Sequence, residues 1–307
     1  TKIATALTDT DSRILQYETV PVPSGTSGEQ IVALIAESIA RVTAPVRRES
    51  VLGVGLAIAG LVDPAAGRVV FSPNLQLHDV PIRDMLVERF KWPVYVAHDI
   101  AMAALCEAYY GAAKAFKNVL TVWVGTGIGA GLILNGQLYQ GARGFAGEIG
   151  QVSLRWDGPP CPSGNRGCLE LYASGPALRR AAAEAIAQGR PTMLTGDADS
   201  ITVEQIASAA QLGDALAIEV IDAGAEVLGT ALTNAINLLN PEAVVLGGGV
   251  IRNVPLMLEK VRQVVDERGL PATGRPVLVQ AQFGREAGVV GATVFAKLAG
   301  HPETARR

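Results

Sequence analysis

The glycine-rich run at 125–131, Gly-Thr-Gly-Ile-Gly-Ala-Gly, constrains the fold of this chain more than any other segment. An apolar strand is predicted at 118–124 before it, and a return strand at 132–134 after it. Four glycines in seven residues leave backbone N–H groups unobstructed, so such a turn can converge on a phosphate. It is neither a Walker loop, which needs Gly-Lys-Ser/Thr, nor a Rossmann turn, which a helix follows. A hairpin with bulges is the alternative interpretation.

The order of predicted elements indicates two related halves. The chain has 307 residues, enough for two lobes of roughly 100–200 residues each. Each half shows a short run of strands followed by alternating helices and strands, which predicts a duplicated α/β architecture. We expect a first lobe over 1–113, joined by the C-terminal helix at 287–299, and a second lobe over 114–286.

Asp99 stands between a short buried strand predicted at 94–96 and a helix predicted at 100–111. An Asp in this position is commonly a helix N-cap. It is also a carboxylate at the carboxyl end of a strand, where α/β folds place ligands. Such a group can accept the proton of a sugar hydroxyl during phosphoryl transfer, and both interpretations can hold together. His98 would share the same location.

Two further segments, 147–151 and 247–249, combine glycines with polar side chains or with backbone that no side chain covers. Glu148 and Gln151 lie three apart between glycines, which suits bidentate hydrogen bonding to vicinal hydroxyls; a polar turn is the alternative. The run at 247–249, Gly-Gly-Gly, follows a predicted strand at 243–247 and precedes a helix. A planar base or a ribose can lie against such bare backbone, although a tight turn into a helix explains the pattern equally.

The segment from Cys161 to Cys168 looks like a zinc knuckle that has lost ligands. Tetrahedral structural zinc needs four nitrogen or sulfur ligands, and only two thiols are present here. Upstream the nearest candidate is Gln151, and Gln is a poor zinc ligand. We therefore expect two free thiols in a loop, with zinc absent or weakly held.

Charge and hydropathy exclude several classes of protein. The net charge of −3 and the scattered Lys and Arg residues provide no electrostatic footprint for nucleic acid in this segment. No uncharged apolar stretch reaches the ~18 residues that a membrane span needs. Three unevenly spaced cysteines and the lack of a signal-peptide pattern predict a cytoplasmic protein without a membrane partner.

Taken together, these segments resemble the ROK family (repressors, open reading frames and kinases) over essentially the whole chain. The resemblance rests on an ordered series of motifs: Asn74, Asp99, the run at 125–131, Gly147-Glu148-x-Gly, the loop at 161–170 and the run at 247–249. It implies an actin-like, ribonuclease-H-like α/β fold with two lobes around a ligand cleft. It also implies a sugar and a nucleotide as ligands, ATP and Mg2+ as cofactors, and a homodimer.

The resemblance further implies a role for each motif. Asp99 matches the catalytic base and Thr1 the last residue of a first phosphate loop. The second phosphate loop and the adenosine-side turn correspond to Gly125, Thr126, Gly127, Gly129, Gly247, Gly248 and Gly249. The sugar-binding positions correspond to Asn74, His98, Asp99, Glu148, Gln151 and Glu170, and the zinc cysteines to Cys161, Ser163 and Cys168.

Some positions depart from the family pattern. The Asp-x-Gly-Gly-Thr run of the first phosphate loop is missing except for Thr1, and its Asp would help to place the magnesium. His98 replaces the usual Asn before the catalytic Asp, while Gln151 and Ser163 replace two of the four zinc ligands. The spacing within 74–81 is closer to that of the repressor branch than to that of the glucokinase branch.

These features leave two main hypotheses. The first is an ATP-dependent kinase of a hexose or hexose derivative, favoured by the retained Asp99 and loop glycines. The second is the sugar-sensing effector domain of a repressor whose helix-turn-helix lies upstream of Thr1, favoured by the altered sugar and zinc positions and by a chain that starts within a strand. A pseudo-kinase that binds sugar without either activity is a third possibility.

Overall fold

The computed structural model describes residues 2–72, 75–271 and 274–300. The chain divides into two compact units. One unit comprises Thr1–Lys117, Gly131–Ala146 and Arg285–Arg307, and the other comprises Asn118–Ala130 and Gly147–Gly284. The grouping of 131–146 with the first unit has a local cause, since a Cβ on Gly131 would lie 2.5 Å from the Cβ of Ala104.

The first unit opens with an antiparallel strand pair and closes with the C-terminal helix. Its elements are β1 (Lys2–Thr8), β2 (Ile14–Pro21), α1 (Gly28–Thr43), β3 (Val54–Ile58), β4 (Leu61–Asp63), β5 (Arg68–Ser72), β6 (Leu77–Val80), α2 (Ile82–Phe90), β7 (Val94–His98), α3 (Asp99–Tyr110) and, last in the chain, α10 (Ala287–Gly300). Strands β3 and β7 pair in parallel, whereas β4, β5 and β6 form an antiparallel sheet.

Local chemistry explains where these elements begin and turn. The Asp9 carboxylate accepts hydrogen bonds from the N–H groups of Asp11 and Arg13, which closes the turn between β1 and β2. Helix α1 starts with a reciprocal capping box between Ser27 and Gln30, which satisfies two N–H groups that a helix start leaves unpaired.

The core of the first unit joins α1 and α2 to the strands. Buried apolar side chains come from every layer: Ile31, Val32, Ile35, Ile39, Ile58, Val62, Val69, Leu77, Ile82, Leu86, Val94 and Val96. Burial of this apolar area positions the β3–β7 pair and therefore the start of α3, where Asp99 lies.

Helix α10 packs against α3 and β3 through glycines. A Cβ on Gly291 would overlap the carbonyl group of Met102 on α3, and a Cβ on Gly55 of β3 would overlap the carbonyl group of Ala292. The backbones therefore approach more closely than side chains of any other residue would permit.

The second unit contains the strands that carry the glycine runs. Its elements are β8 (Val119–Val124), β9 (Ile128–Leu134), α4 (Glu170–Ala173), α5 (Gly175–Ala187), α6 (Val203–Gln211), α7 (Ala215–Leu239), β11 (Ala243–Gly247), α8 (Gly248–Asn253), α9 (Pro255–Arg268) and β12 (Val277–Gln280). Strand β9 runs on into the first unit, where β10 (Gln137–Tyr139) pairs with it. The strand order is β10-β9-β8-β11-β12, and β8, β11 and β12 are parallel.

The longest helix, α7, is held at its start by Asp214. Its carboxylate accepts hydrogen bonds from the N–H groups of Ala217 and Met193 and from the hydroxyl of Thr192. Asp214 is buried, yet these donors lower the pKa of its carboxyl against the opposing effect of burial. Within the part of the chain that the structure describes, neither α7 nor any other helix is long and apolar enough to cross a membrane.

We expect Gly291→Ala to destabilise the first unit, because the added methyl group would overlap the Met102 carbonyl. Overpacking of this kind costs about 1–3 kcal/mol, which should lower the Tm by several degrees. The matched control is Gly288→Ala on the same helix, where the nearest atom to an added Cβ is 3.8 Å away. Equal Tm values for the two variants in differential scanning fluorimetry would contradict the packing described.

We expect Asp214→Ala to destabilise the second unit by about 2–4 kcal/mol, since it removes a helix cap and leaves buried donors unpaired. The pKa of Asp214 is lowered from 3.8 in the folded chain, so its contribution is complete above that pH and is lost as the pH falls through the lowered value. The Tm difference from wild type should therefore shrink in acid.

Thermal unfolding at pH 7 and at pH values below about 4 measures this change. The control is Asp157→Ala, which removes an exposed carboxylate at a loop position. A Tm difference for Asp214→Ala that is independent of pH would contradict the role of the ionised carboxylate.

Candidate functional site

The first unit contains the predicted base. Asp99 is the first residue of α3 and directly follows β7, whose last residue, His98, is paired with Ile58 of β3. Asp99 Oδ1 lies 3.3 Å from His98 Nε2, and their side chains are 40% and 20% exposed. The carboxylate thus stands at the carboxyl end of a parallel strand pair, beside an imidazole, and remains accessible to a ligand.

Two sequence-predicted positions, Thr1 and Asn74, lie outside the described residues. Their assignments to the phosphate and the sugar stay predictions.

In the second unit, the turn from β8 to β9 contains only part of the glycine run. Gly125, Thr126 and Gly127 form the turn, while Gly129 is a buried residue of β9. The return strand was expected at 132–134 and begins at Ile128 instead, as part of a strand that neighbours β8 and pairs with β10 at 132–134.

Hydrogen bonds within the turn decide which donors remain for a ligand. The Gly125 N–H donates to the Gly127 carbonyl (2.9 Å), and the Ile128 N–H donates to Glu170 Oε2 (2.9 Å). The Gly125 carbonyl accepts from the N–H of Gly175 at the start of α5 (2.8 Å). No acceptor among the described residues takes the N–H of Thr126 or Gly127. These two amides are therefore the donors that an anion can use.

Three glycines of the predicted site lie against other parts of the protein. A Cβ on Gly127 would lie 2.6 Å from Glu170 Oε2, and one on Gly247 would overlap the ring of Trp123. Gly248 has φ +94°, in the left-handed region, and a Cβ there would overlap the Val124 carbonyl. Packing explains Gly247 and Gly248, and the position of the Glu170 carboxylate accounts for Gly127.

Gly125 and Gly249 are different, because the fold alone explains neither. Nothing lies within 4 Å of a Cβ added to either residue, and neither has a φ in the left-handed region. Other glycines with open surroundings, Gly25, Gly164, Gly189, Gly213 and Gly274, all have left-handed φ values. The free space at Gly125 and Gly249 is what close approach of a ligand to bare backbone requires.

These two open glycines belong to neighbouring strand ends. Strands β8 and β11 pair in parallel with Gly247 opposite Trp123, so both strands end at the same edge of the sheet. Gly125 follows β8 directly, and Gly249 is the second residue of α8 after β11. Ligands of open α/β sheets bind at such carboxyl ends. We refer to Gly125, Thr126, Gly127 and Gly249 as the glycine edge.

Glu148 and Gln151 lie beside the start of β9. Gly147 accepts a hydrogen bond from the Ala130 N–H at 2.7 Å, and Gly150 lies so close to Ile128 that a Cβ would overlap the Ile128 carbonyl. Both polar side chains are partly exposed. Since Glu170 also contacts Ile128, the second unit brings Glu148, Gln151 and Glu170 to the same few residues of β9.

The cysteine loop requires a correction. Cys161 and Cys168 form a disulfide, so the prediction of two free thiols is wrong, and the bonded sulfurs are not available as thiolate ligands of zinc. Gly164 and Gly167, with φ of +87° and +60°, turn the loop back and bring the two Cα atoms within 6.3 Å. Across 2–72, 75–271 and 274–300, no group of three or more His, Cys, Asp or Glu residues could hold a metal ion.

Sequence reasoning missed two contacts of the turn, the Glu170 carboxylate on Ile128 and the start of α5 on Gly125. Glu170 was predicted at the sugar, yet one of its oxygens binds the glycine run. No local sequence pattern predicts a contact between residues that are 42 positions apart.

Comparisons with known proteins agree with this architecture. The profile of the ROK family matches residues 1–299. The glucokinase of Halalkalibacterium halodurans is 34% identical over 299 residues, which cover 95% of this chain and 90% of that protein. The xylose repressor of Bacillus spizizenii is 32% identical over 241 residues, which cover 78% of this chain and 59% of the repressor. The chain therefore spans less than two thirds of that repressor's length.

This chain is similar to solved structures of both a kinase and a transcriptional regulator. The ROK family glucokinase from Streptomyces griseus, in complex with glucose and AMPPNP, is 33% identical with a TM-score of 0.81, covering 97% of this chain and 96% of that one. A ROK family transcriptional regulator, a homologue of the Escherichia coli MLC protein, is 28% identical with a TM-score of 0.87, covering 99% and 78%.

The protein is therefore an α/β protein with the actin-like ATPase fold, as the family resemblance implied. The chain belongs to the ROK family. Its relatives include sugar kinases and transcriptional repressors.

We expect Gly125→Ala and Gly249→Ala to weaken nucleotide binding without unfolding the chain. The added methyl groups meet no protein atom within 4 Å, so the Tm should stay within about 2 °C of wild type. A ligand lying against these residues would be displaced, and its affinity should fall by about tenfold or more. Calorimetric titration with AMPPNP measures the change.

Gly288→Ala on α10 of the first unit is the matched control, because its added methyl group makes only an ordinary contact, 3.8 Å from the Cβ of Ala57. AMPPNP affinities of both variants equal to wild type would rule out close approach of a ligand at these glycines.

Proposed function

We propose that this chain is an ATP-dependent kinase that phosphorylates a hydroxyl of a hexose or hexose derivative, with Asp99 as general base. The observation that carries the proposal is the free space at Gly125 and Gly249, which neither packing nor backbone conformation explains. A protein that only senses a sugar does not need bare backbone at two adjacent strand ends.

The glycine edge suits the phosphates of the nucleotide. Unpaired N–H groups at Thr126 and Gly127 can donate to phosphate oxygens, since glycine backbone leaves them exposed. Bound ATP supplies the phosphoryl group that is transferred. Mg2+ in such sites is held by phosphate oxygens with one or two carboxylates, and we name no protein ligand for it in this chain.

The proposed role of Asp99 follows from its chemistry. A carboxylate within hydrogen-bond distance of the sugar hydroxyl accepts its proton as the oxygen attacks the terminal phosphorus. The new O–P bond forms while the bond from phosphorus to the ADP oxygen breaks, and the proton remains on Asp99. His98 lies beside this carboxylate and can stabilise its orientation. Catalysis in such a reaction is mostly positioning and charge stabilisation.

We assign the sugar to partly exposed polar side chains. Glu148 and Gln151 flank the start of β9, and His98 and Asp99 lie together at the start of α3. Paired acceptors of this kind suit the vicinal hydroxyl groups of a hexose. Asn74, outside the described residues, completes the set that the family resemblance implies.

A second candidate function is the sugar-sensing part of a transcriptional repressor. It is favoured by the similarity to the ROK family transcriptional regulator at a TM-score of 0.87 and to the xylose repressor. This function requires sugar binding without turnover, so the same assay distinguishes the two.

We expect Asp99→Asn to abolish turnover while sugar binding persists. Loss of a general base lowers kcat by about 10²–10⁴-fold, whereas the carboxamide keeps the shape and most of the hydrogen bonding of the carboxylate. ADP release, coupled to NADH oxidation, is measured over a panel of hexoses and N-acetylhexosamines with Mg2+ present. Sugar binding to the variant is measured by calorimetry.

The control is Asp157→Asn, an exposed carboxylate that we place outside the proposed site. Wild-type protein that binds a sugar of the panel but releases no ADP would refute the kinase and favour the sensor. An Asp99→Asn variant with most of the wild-type rate would refute Asp99 as the base.

A further inference from the structure

The carboxylate of Glu170 is engaged with the glycine run. Its Oε2 accepts a hydrogen bond from the Ile128 N–H at 2.9 Å, and the same oxygen lies 2.6 Å from the place of a Cβ on Gly127. A side chain at residue 127 would therefore displace the carboxylate. Glycine at residue 127 therefore lets the Glu170 side chain keep this position, since any larger residue would make the flexible carboxylate move.

The backbone that carries Glu170 is held on its N-terminal side. Leu169, the preceding residue, is fully buried, and its N–H donates to the Val152 carbonyl at 3.0 Å. Cys168 is buried and linked to Cys161 by the disulfide. Glu170 itself is the first residue of α4. The carboxylate thus projects towards the turn from an anchored segment.

This contact determines which amides of the turn face an anion. Four N–H groups belong to residues 125–128, and two of them are used, by Gly125 on the Gly127 carbonyl and by Ile128 on Glu170. A phosphate that approached the Ile128 amide would meet the negative charge of Glu170, which repels it. The amides of Thr126 and Gly127 remain as donors for the phosphate.

We propose that Glu170 is a positioning residue of the nucleotide site, which holds the β8–β9 turn in the shape that presents the Thr126 and Gly127 amides to a phosphate. This inference deepens the proposed kinase function and rests on it. It differs from the role that the family resemblance implies, a contact with a sugar hydroxyl. The second carboxylate oxygen has no hydrogen-bond partner among the described residues, so a sugar contact can coexist with the positioning role.

A double-mutant cycle on the full chain tests the proposal. Glu170→Ala removes the hydrogen bond to Ile128, and Gly127→Ala pushes the carboxylate away. Each should weaken AMPPNP binding by about tenfold, since a charge-assisted hydrogen bond is lost. The double variant should also be weakened by about tenfold rather than a hundredfold, because removal of the carboxylate makes room for the methyl group.

The conservative variant Glu170→Gln distinguishes the effect of the hydrogen bond to Ile128 from the effect of the negative charge. Glu170→Gln keeps an oxygen that can accept from the Ile128 N–H, so its AMPPNP affinity should stay within about threefold of wild type. Glu259→Ala on α9 is the control for loss of an exposed carboxylate in the same unit. The Tm of every variant is recorded, and it should show the same non-additivity in the cycle as the binding data.

The possible outcomes are distinct. The positioning role would be overturned if the losses of AMPPNP affinity in the two single variants multiplied in the double variant. It would also be overturned if Glu170→Ala weakened only the affinity for sugar and left the AMPPNP affinity unchanged. Either result would leave the kinase proposal standing. Wild-type protein that fails to bind AMPPNP would overturn the proposed function and, with it, the role of Glu170 at a nucleotide. The inference is supported if the losses of AMPPNP affinity are non-additive and Glu170→Gln keeps an affinity near that of wild type. This holds even where the rate of ADP release is low.

Discussion

The parallel pairing of β8 with β11 is the constraint on which the second unit depends. Because Gly247 lies opposite Trp123, the two strands end level and their following turns share one edge of the sheet. The Trp123 ring fills the space that a side chain at residue 247 would need, so this register and the glycine require each other. The contacts of Glu170 with Ile128 and of Gly175 with Gly125 then attach α4 and α5 to the same edge.

The sequence predicts much of this architecture because the strongest signals are local. The Asn135-Gly136 pair, a strong local signal for a hairpin turn, forms one with φ values of 53° and 76°, and α1 and α6 each begin with a capping box that is readable in the sequence. Helix α8 was missed as a separate element, since two of its six residues are glycines and glycine is a poor helix former. Tertiary packing against β8, which no propensity scale contains, decides its conformation.

The candidate site shows the same division between local and distant information. Asp99 could be placed at the end of a strand and the start of a helix from the chain alone, and it lies there. The contact of Glu170 with the turn could not be predicted from the chain alone, because it depends on how a distant loop folds back. The cysteines were misjudged for a related reason: a spacing of seven fits free thiols and a disulfide alike, and the left-handed glycines at 164 and 167 decide between them.

The packing of α10 on α3 has a consequence for biosynthesis. Residues that belong to the first unit flank those of the second in the chain, and helix α10 follows all residues of the second unit. Its glycine at 291 fits against the Met102 carbonyl, so α3 stays partly uncovered until that helix emerges. Domains generally fold as units during synthesis, which implies that the second unit, 118–130 with 147–284, is complete while the first one awaits its final segment. During that interval the apolar flank of α3 is exposed, and transiently exposed apolar surface of this kind favours aggregation.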